Sequence, residues 1–292
     1  MIPIVFSTDH NYVMAAGITI ASLLMAAEGE LYDIYVMISS DVTEEDKERL
    51  SLQVKTLSPD SCISYVNMEK YYNGAYEIRG ISKAAYYRLL IPWLIPNLDK
   101  IIYSDVDIIF KTSLRPIFDM DLEDNFLGVA ENIYHGAWID YKKYFDKLGV
   151  DYLTYFNSGL LVFNSKLQRE QNLDKEYEKL TKQKFLYQDQ DILNIVCKGR
   201  TAFFDCRFNL PPTRYLTEPK YSGKVAIHYA GEKPWNTFTF SWAEWWEVYN
   251  KSIFMEEGYY SKICRKILSP KHQIKVISRK AKSRLQILKR KL

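Results

Sequence analysis

The sequence has little of what several protein classes require. Only four cysteines occur in 292 residues, Cys62, Cys197, Cys206 and Cys264, and none shares a C-x-x-C spacing with another. That scarcity argues against disulfides or cysteine metal ligands and predicts reduced structural thiols. No run of 18 apolar residues is present, so no membrane-spanning helix is expected. The opening MIPIVFSTDHNYVMAAG has no basic segment ahead of its apolar stretch, and Asp9 and His10 interrupt it. A signal peptide is therefore not expected, and a cytoplasmic protein is. Repeats, low-complexity tracts and Gly/Ser linkers are also missing, which suits one large domain with at most an appendage. Acidic side chains are absent from Gly258 to Leu292, where twelve Lys or Arg stand. The first 257 residues carry 27 basic and 36 acidic side chains, so the overall +3 conceals a body at −9 and a strongly basic end.

What is present is a chain with ample core material, 47% hydrophobic and 15% aromatic, which excludes global disorder. "PIVFSTD" predicts a buried first strand with polar residues at its carboxyl end, and Asn11 to Ala27 has helical apolar spacing. "LYDIYVMIS" predicts a second strand, followed by a helix from about Thr43 where "TEED" has the form of a capping box. "SCISYVNM" predicts a third strand, "KAAYYRLLIPWLI" a helix limited by Pro92 and Pro96, and "KIIYSDVDIIF" a fourth strand. "NFLGVAE" and "YFNSGLLVFNS" predict two more, "YQDQDILNIVCKG" a helix, and "TAFFDCRFNL" and "KVAIHYAG" the last strands. Strands alternating with helices imply an α/β fold with a mostly parallel sheet, and ligands then bind beyond the carboxyl ends of the strands.

Two carboxylates inside "KIIYSDVDIIF" are chemically out of place, because burying an unpaired carboxylate in an apolar strand is costly. Asp105 and Asp107 therefore mark a strand end near something cationic, or else an ordinary surface loop between strands; spacing alone leaves both open. Two carboxylates and a nearby imidazole can hold a divalent cation with positions open for a diphosphate. His228, which ends the apolar run of "AIHYAGEKPW", is the candidate imidazole, with a half-buried hydrogen-bonded histidine as the alternative. Gly231 would let backbone approach a phosphate, and Lys233 would neutralise its charge.

Taken together, "IVFSTDHNY", "ISKAAYYRLLIP", "YSDVDIIF", "YFNSGLLVFN", "YQDQDILN" and "HYAGEKPW" resemble glycosyltransferase family 8, across roughly Ile2 to Trp246. The resemblance implies a GT-A fold, a mostly parallel Rossmann-like sheet flanked by helices, and a retaining hexosyltransferase that uses a UDP-sugar. It implies that Thr8, Asp9 and Asn11 cup the uridine, and that Asp105, Asp107 and His228 hold manganese, with magnesium as the alternative. Asp105 would share metal and ribose contacts. Gly231 and Lys233 would contact the diphosphate, Arg88 both the sugar and the diphosphate side, and Asn157 and Ser158 the donor sugar. Asp189 would bind sugar hydroxyls, and Gln190 would lie opposite the leaving UDP. An amide is a poor nucleophile, so either a neighbouring carboxylate attacks or the acceptor attacks from the face that UDP leaves, which is the preferred reading. Read without the resemblance, the acids of "YQDQD" complement a helix dipole. "LGVAEN" departs from the lipopolysaccharide galactosyltransferases by placing Asn132 where they have an aspartate, which leaves galactose or glucose open.

Two other classes fit the sequence less well. A haloacid-dehalogenase-like phosphatase needs D-x-D-x-T/V near its start, and here Ile109 occupies the last position, deep in the chain. A catalytically silent sugar-binding or scaffold protein would not need Asp105, Asp107, His228, Lys233 and Gln190 together. The expected organisation is a catalytic domain over residues 1–250 and a basic tail over 251–292. If the chain turns helical near Ile274, a few residues after the breaker Ser269-Pro270, the tail puts Ile274, Ile277, Ala281, Leu285, Leu288 and Leu292 on one stripe, suited to an anionic membrane. A docked helix or a solvated tail is the alternative. Nucleic acid is not expected, since no reading motif accompanies the charge. The expected acceptor is a cell-envelope glycan or glycolipid.

Overall fold

The computed structural model describes residues 1–72, 83–133 and 141–278. Seven strands form the main sheet: β1 (Ile2–Thr8), β2 (Tyr32–Ile38), β3 (Cys62–Asn67), β4 (Lys100–Ser104), β6 (Leu127–Ala130), β7 (Leu160–Asn164) and β8 (Thr201–Phe204). Their order is β3-β2-β1-β4-β7-β6-β8. Every pairing in it is parallel except the two made by β7, with β4 and β6. The expected mostly parallel sheet is thus found, with one reversed strand.

Alternation along the central strands divides the interior in two. Ile2, Ile4 and Phe6 of β1 join Ile102 of β4 in one apolar cluster, whereas Val5 joins Ile101 and Tyr103 in the other. A strand whose successive side chains point to opposite faces must be apolar throughout when both faces are covered, which is why "IPIVFST" is buried at all seven positions. Helix α1 (Val13–Met25) covers one face and is buried on nearly every side. Gly17 on it lies against the ring of Phe254; a Cβ there would stand 2.2 Å from Cε2 of that ring. Phe254, Ile263 and Ile267 belong to the same core as β1, so the chain from Phe254 to Ile267 packs onto the domain. Helix α2 (Glu44–Leu57) begins at the capping box expected from "TEED", with Thr43 and Asp46 each receiving the other's hydrogen bond.

Several elements differ from expectation. "KIIYSDVDIIF" is two strands rather than one: β4 ends at Ser104, and β5 (Ile108–Phe110) pairs antiparallel with β9 (Ala226–His228) in a separate two-stranded sheet. The acids sit at the corner between the sheets, where Asp105 N–H donates to Gly159 O at 2.8 Å and Tyr229 N–H donates to Asp107 O at 2.9 Å. The segment "KAAYYRLLIPWLI" is a 3-10 run, Lys83–Leu90, followed by one α-helical turn, Ile91–Leu94. Pro92 lies in the first turn of that short helix, where its missing N–H is harmless, so it starts a helix instead of ending one. Finally, residues 270–278 are helical from Pro270 onward. Ile274 and Ile277 are 65% and 66% exposed; Ala281, Leu285, Leu288 and Leu292 lie outside the described residues. Among the described residues no helix is long and apolar enough to cross a membrane.

Candidate functional site

A cleft of about 630 Å³ opens at the carboxyl edge of β1 and β4 and is closed from the far side by the loop after β9. Of the sequence-predicted residues it gathers Thr8, Asp9, Arg88, Asp105, Asp107, Asn157, Ser158, Asp189, Gln190, His228, Gly231 and Lys233 in its lining. These come from stretches far apart in sequence. The β5–β9 ladder explains the longest reach, since His228 is paired with Ile108, next to Asp107.

Asp105, Asp107 and His228 each offer one ligand atom, and the three atoms lie within 4.8 Å of one another. Nε2 of His228 stands 3.1 Å from Oδ1 of Asp107 and 3.7 Å from Oδ2 of Asp105. That Asp107 oxygen is buried and accepts no hydrogen bond, an arrangement that is costly unless a cation completes it. Two carboxylate oxygens and one imidazole nitrogen fit a divalent ion of the manganese or magnesium kind, with coordination positions left for outside oxygens. Lys233 pairs with the other oxygen of Asp107 and donates to Tyr229 O at 2.8 Å. Burial alone would raise the Asp107 carboxyl; the Lys233 ammonium and His228 outweigh it and hold it well below the usual range.

A second charge cluster lies around Arg88, beside the first. Arg88 is buried at 5% exposure, although an arginine in a helix-like run would ordinarily face water. Its guanidinium binds Asp105 Oδ1 at 2.7 Å through Nη2 and Asp189 Oδ2 at 3.1 Å through Nε, and donates to Ser158 O at 2.6 Å through Nη1. One cation therefore bridges Asp105 and Asp189. Gln190 is committed at both ends of its amide: Oε1 accepts from Asn157 Nδ2 and Ser158 N–H, each at 3.1 Å, and Nε2 donates to the Tyr155 hydroxyl at 3.1 Å.

With a sheet of this order and a corner built from two aspartates and a distant histidine, the comparison with known proteins is decisive. The sequence model of glycosyl transferase family 8 matches residues 3–239. The chain belongs to glycosyltransferase family 8. A Haemophilus influenzae protein described only as a glycosyltransferase is 30% identical over 72% of the chain, which spans 63% of that relative's length. A lipopolysaccharide 1,3-galactosyltransferase of Salmonella typhimurium is 25% identical over 80% of this chain and 73% of its own. The lipopolysaccharide glucosyltransferase WaaO of Escherichia coli is 26% identical over 87% and 76%. Among solved structures, the galactosyltransferase LgtC in complex with donor and acceptor sugar analogues superposes with a TM-score of 0.73 at 27% identity, covering 89% of this chain and 100% of that one. The expected GT-A class is thereby matched in fold.

Two predicted residues of this family 8 chain stand outside the cleft lining. Asn11 is exposed on the 3-10 turn His10–Tyr12, and the half-buried Tyr12 lines the cleft instead. Asn132 turns its amide to Tyr152 O at 3.0 Å. Lining residues the sequence reading passed over include Tyr103, Gln188 and the run Pro211-Pro212-Thr213. Tyr12, Tyr103 and Gln188 lie within the family-like stretches, so a signal for them existed; Pro211 to Thr213 had none.

Burial lifts the Asp189 carboxyl to about 6, against the lowering pull of Arg88. Because this folded value lies above that of the unfolded chain, stability from the group is full below about pH 4 and lost as the pH climbs through 6. If Asp189 binds a hydroxyl-bearing donor, binding runs the other way, since only the ionised carboxylate accepts hydrogen bonds at both oxygens. The donor KM is therefore expected to fall severalfold between pH 5 and pH 7, and the profile should flatten in Asp189→Asn.

Proposed function

We propose that this protein is a metal-dependent retaining hexosyltransferase, moving galactose or glucose from a UDP-sugar to a hydroxyl of a cell-envelope glycan or glycolipid. The observation that carries the reading is the convergence of Asp105, Asp107 and His228 beside Lys233 in one cleft whose other end holds Arg88, Asp189 and Gln190. That two relatives act on lipopolysaccharide supports the acceptor class.

Asp105, Asp107 and His228 would hold the divalent ion, which supplies neutralisation of the negative charge that grows on UDP as its bond to the sugar breaks. Lys233 turns from Asp107 to the diphosphate and adds a fixed positive charge on the leaving group. Thr8, Asp9 and Tyr12 form the wall that receives the nucleoside, and Gly231, with open space around it, lets backbone approach the phosphates. Arg88 keeps Asp189 in place to accept from sugar hydroxyls. Gln190 Oε1 already accepts two hydrogen bonds, which withdraws the lone pairs a nucleophile would use. This favours attack by the acceptor from the side on which UDP departs, with the amide facing the positive charge that develops at the anomeric carbon.

The test is UDP release from a panel of UDP-hexoses with and without Mn²⁺, followed by the anomeric configuration of the product. Cleavage of one UDP-hexose with retained configuration supports the reading; release that is indifferent to the ion for every donor would contradict it.

The basic end extends the proposal to location, at the cytoplasmic face of an anionic membrane. Nine of the twelve Lys and Arg of Gly258 to Leu292 lie beyond Ser269, and Leu268, Ile274 and Ile277 are each at least 65% exposed. Removing residues 270–292 leaves the docked helix Tyr259–Leu268 in place. Such a truncation should lower binding to phosphatidylserine-containing vesicles at low salt about tenfold or more while donor hydrolysis stays near wild type, read by vesicle sedimentation.

A further inference from the structure

His228 uses both ring nitrogens. Nε2 faces the two aspartates, and Nδ1 lies 2.6 Å from Oδ1 of Asn209, a residue that is 5% exposed and does not line the cleft. The direction of that hydrogen bond follows from a backbone amide two steps away. The N–H of Gly159 can only donate, and it does so to Oδ1 of Asn157 at 2.9 Å. The same oxygen accepts from Nδ2 of Asn209 at 3.0 Å. The amide of Asn209 is therefore oriented with its nitrogen toward Asn157 and its oxygen toward His228. An amide oxygen only accepts, so Nδ1 of His228 carries a proton, and Nε2 is left as the ring nitrogen that faces the corner of Asp105 and Asp107.

Backbone register holds the pair together. His228 N–H donates to Leu210 O and Leu210 N–H donates to Ala226 O, both at 2.8 Å, which fixes Asn209 one residue from the strand that bears the histidine. On its other side Asn157 donates through Nδ2 to Gln190. Gln190 in turn donates to the Tyr155 hydroxyl, and that hydroxyl donates to Asp191 Oδ1 at 2.6 Å. Asp191 is fully buried and also accepts from the Tyr144 hydroxyl at 2.6 Å and from Tyr187 N–H at 2.7 Å. The chain of side chains thus begins at a carboxylate anchored by three donors and runs through Gln190 to the imidazole.

We propose that Asn209 is a positioning residue of the divalent-cation site: by accepting the Nδ1 proton it holds His228 in the one neutral tautomer whose Nε2 can ligate, and through Asn157 it ties that ligand to Gln190. This rests on the metal-binding reading of Asp105, Asp107 and His228. Groups in the outer shell of a metal site that orient a ligating histidine change metal affinity about 10- to 100-fold when removed.

The experiment titrates the full-length protein with Mn²⁺ alone, following free ion by electron paramagnetic resonance, for wild type, Asn209→Ala and Asn209→Asp. Asn209→Ala should weaken binding about 10- to 100-fold. Asn209→Asp keeps an acceptor for Nδ1–H but loses the donor to Asn157, so it should recover most of the affinity while its Tm stays below that of wild type. A purely structural role would make affinity follow Tm across both variants, and would overturn the proposal, as would equal affinity in wild type and Asn209→Ala. The ¹⁵N shifts of the His228 ring in the metal-free wild type give a reading that needs no variant: a proton on Nδ1 is expected, and an Nδ1 without a proton overturns the assignment. Wild type that binds no Mn²⁺ overturns the metal reading itself, a result distinct from an Asn209 effect that is missing while wild type binds.

Discussion

Asp107→Asn should lower ion-dependent cleavage of the UDP-sugar by about 10²- to 10³-fold, the scale expected when one fixed charge-stabilising group is lost. The substitution keeps volume and shape, so the corner between β4 and β5 survives. What changes is charge. Asp107 Oδ1 is the buried oxygen that accepts no hydrogen bond, and Oδ2 is the partner of Lys233. An amide at this position offers the ion one weaker oxygen and sets its N–H₂ against either Lys233 or the site where the ion belongs. Both placements oppose a cation. Since the carboxyl of Asp107 is held below its ordinary range by Lys233 and His228, against burial, its stabilising contribution is present at neutral pH and lost only in acid. Asp107→Asn should therefore lower Tm at pH 7 as well, because a mostly buried ammonium loses its counter-charge. Steady-state UDP release at saturating donor, with a thermal melt of the same sample, measures both.

Gly159→Ala is the second large effect. A Cβ at position 159 would lie 2.2 Å from Cε1 and 2.7 Å from Nδ1 of His228, and 2.9 Å from Oδ1 of Asn157. The imidazole cannot retreat: it is 3% exposed and held by Asn209 on one side and the aspartates on the other. The added methyl must push the ring off its partners or lift the strand that begins at Leu160, at a cost of about 1–3 kcal/mol. Mn²⁺ affinity should fall by about tenfold or more, the lower end of what disturbing a ligand's orientation produces. Gly231→Ala is the control, because a Cβ there meets nothing within 4 Å, and its Tm and Mn²⁺ affinity should match wild type. Calorimetric titration of both variants with Mn²⁺ separates a crowded ligand from a general glycine effect.

These two glycines also show which parts of the site were legible in the sequence. Gly231 stood out beside His228 and Lys233, in a block whose chemistry suggests phosphate, whereas Gly159 lies inside "YFNSGLLVFNS", which predicts only a strand. Its role depends on β9 delivering His228 over it, a tertiary fact that no local pattern encodes. Asn209 escaped for the same reason: it ends the 3-10 run Cys206–Asn209 in a stretch that reads as strand, and only the Leu210–His228 backbone bond brings it to the ring. Conversely, the central strands and the Thr43 capping box were readable because apolar alternation and caps are local signals. The D-x-D was placed at the correct edge, but the bend between Asp105 and Asp107 was hidden, since apolar residues flank it on both sides and either half alone looks like a strand. Asn11 and Asn132 were assigned by their place in a motif; on a tight turn and after a strand end, neighbours in sequence do not share a direction, and neither lines the cleft.

The central claim is that Asp105, Asp107 and His228 anchor a nucleotide diphosphate through a divalent cation. Calorimetric titration of the full-length protein with UDP, first in Mn²⁺ and then with the ion chelated, tests it most directly. The account predicts saturable binding in Mn²⁺ that weakens by about tenfold or more on chelation, and an Asp107→Asn protein whose weaker binding no longer responds to the ion. Equal affinity for UDP in both conditions would contradict it.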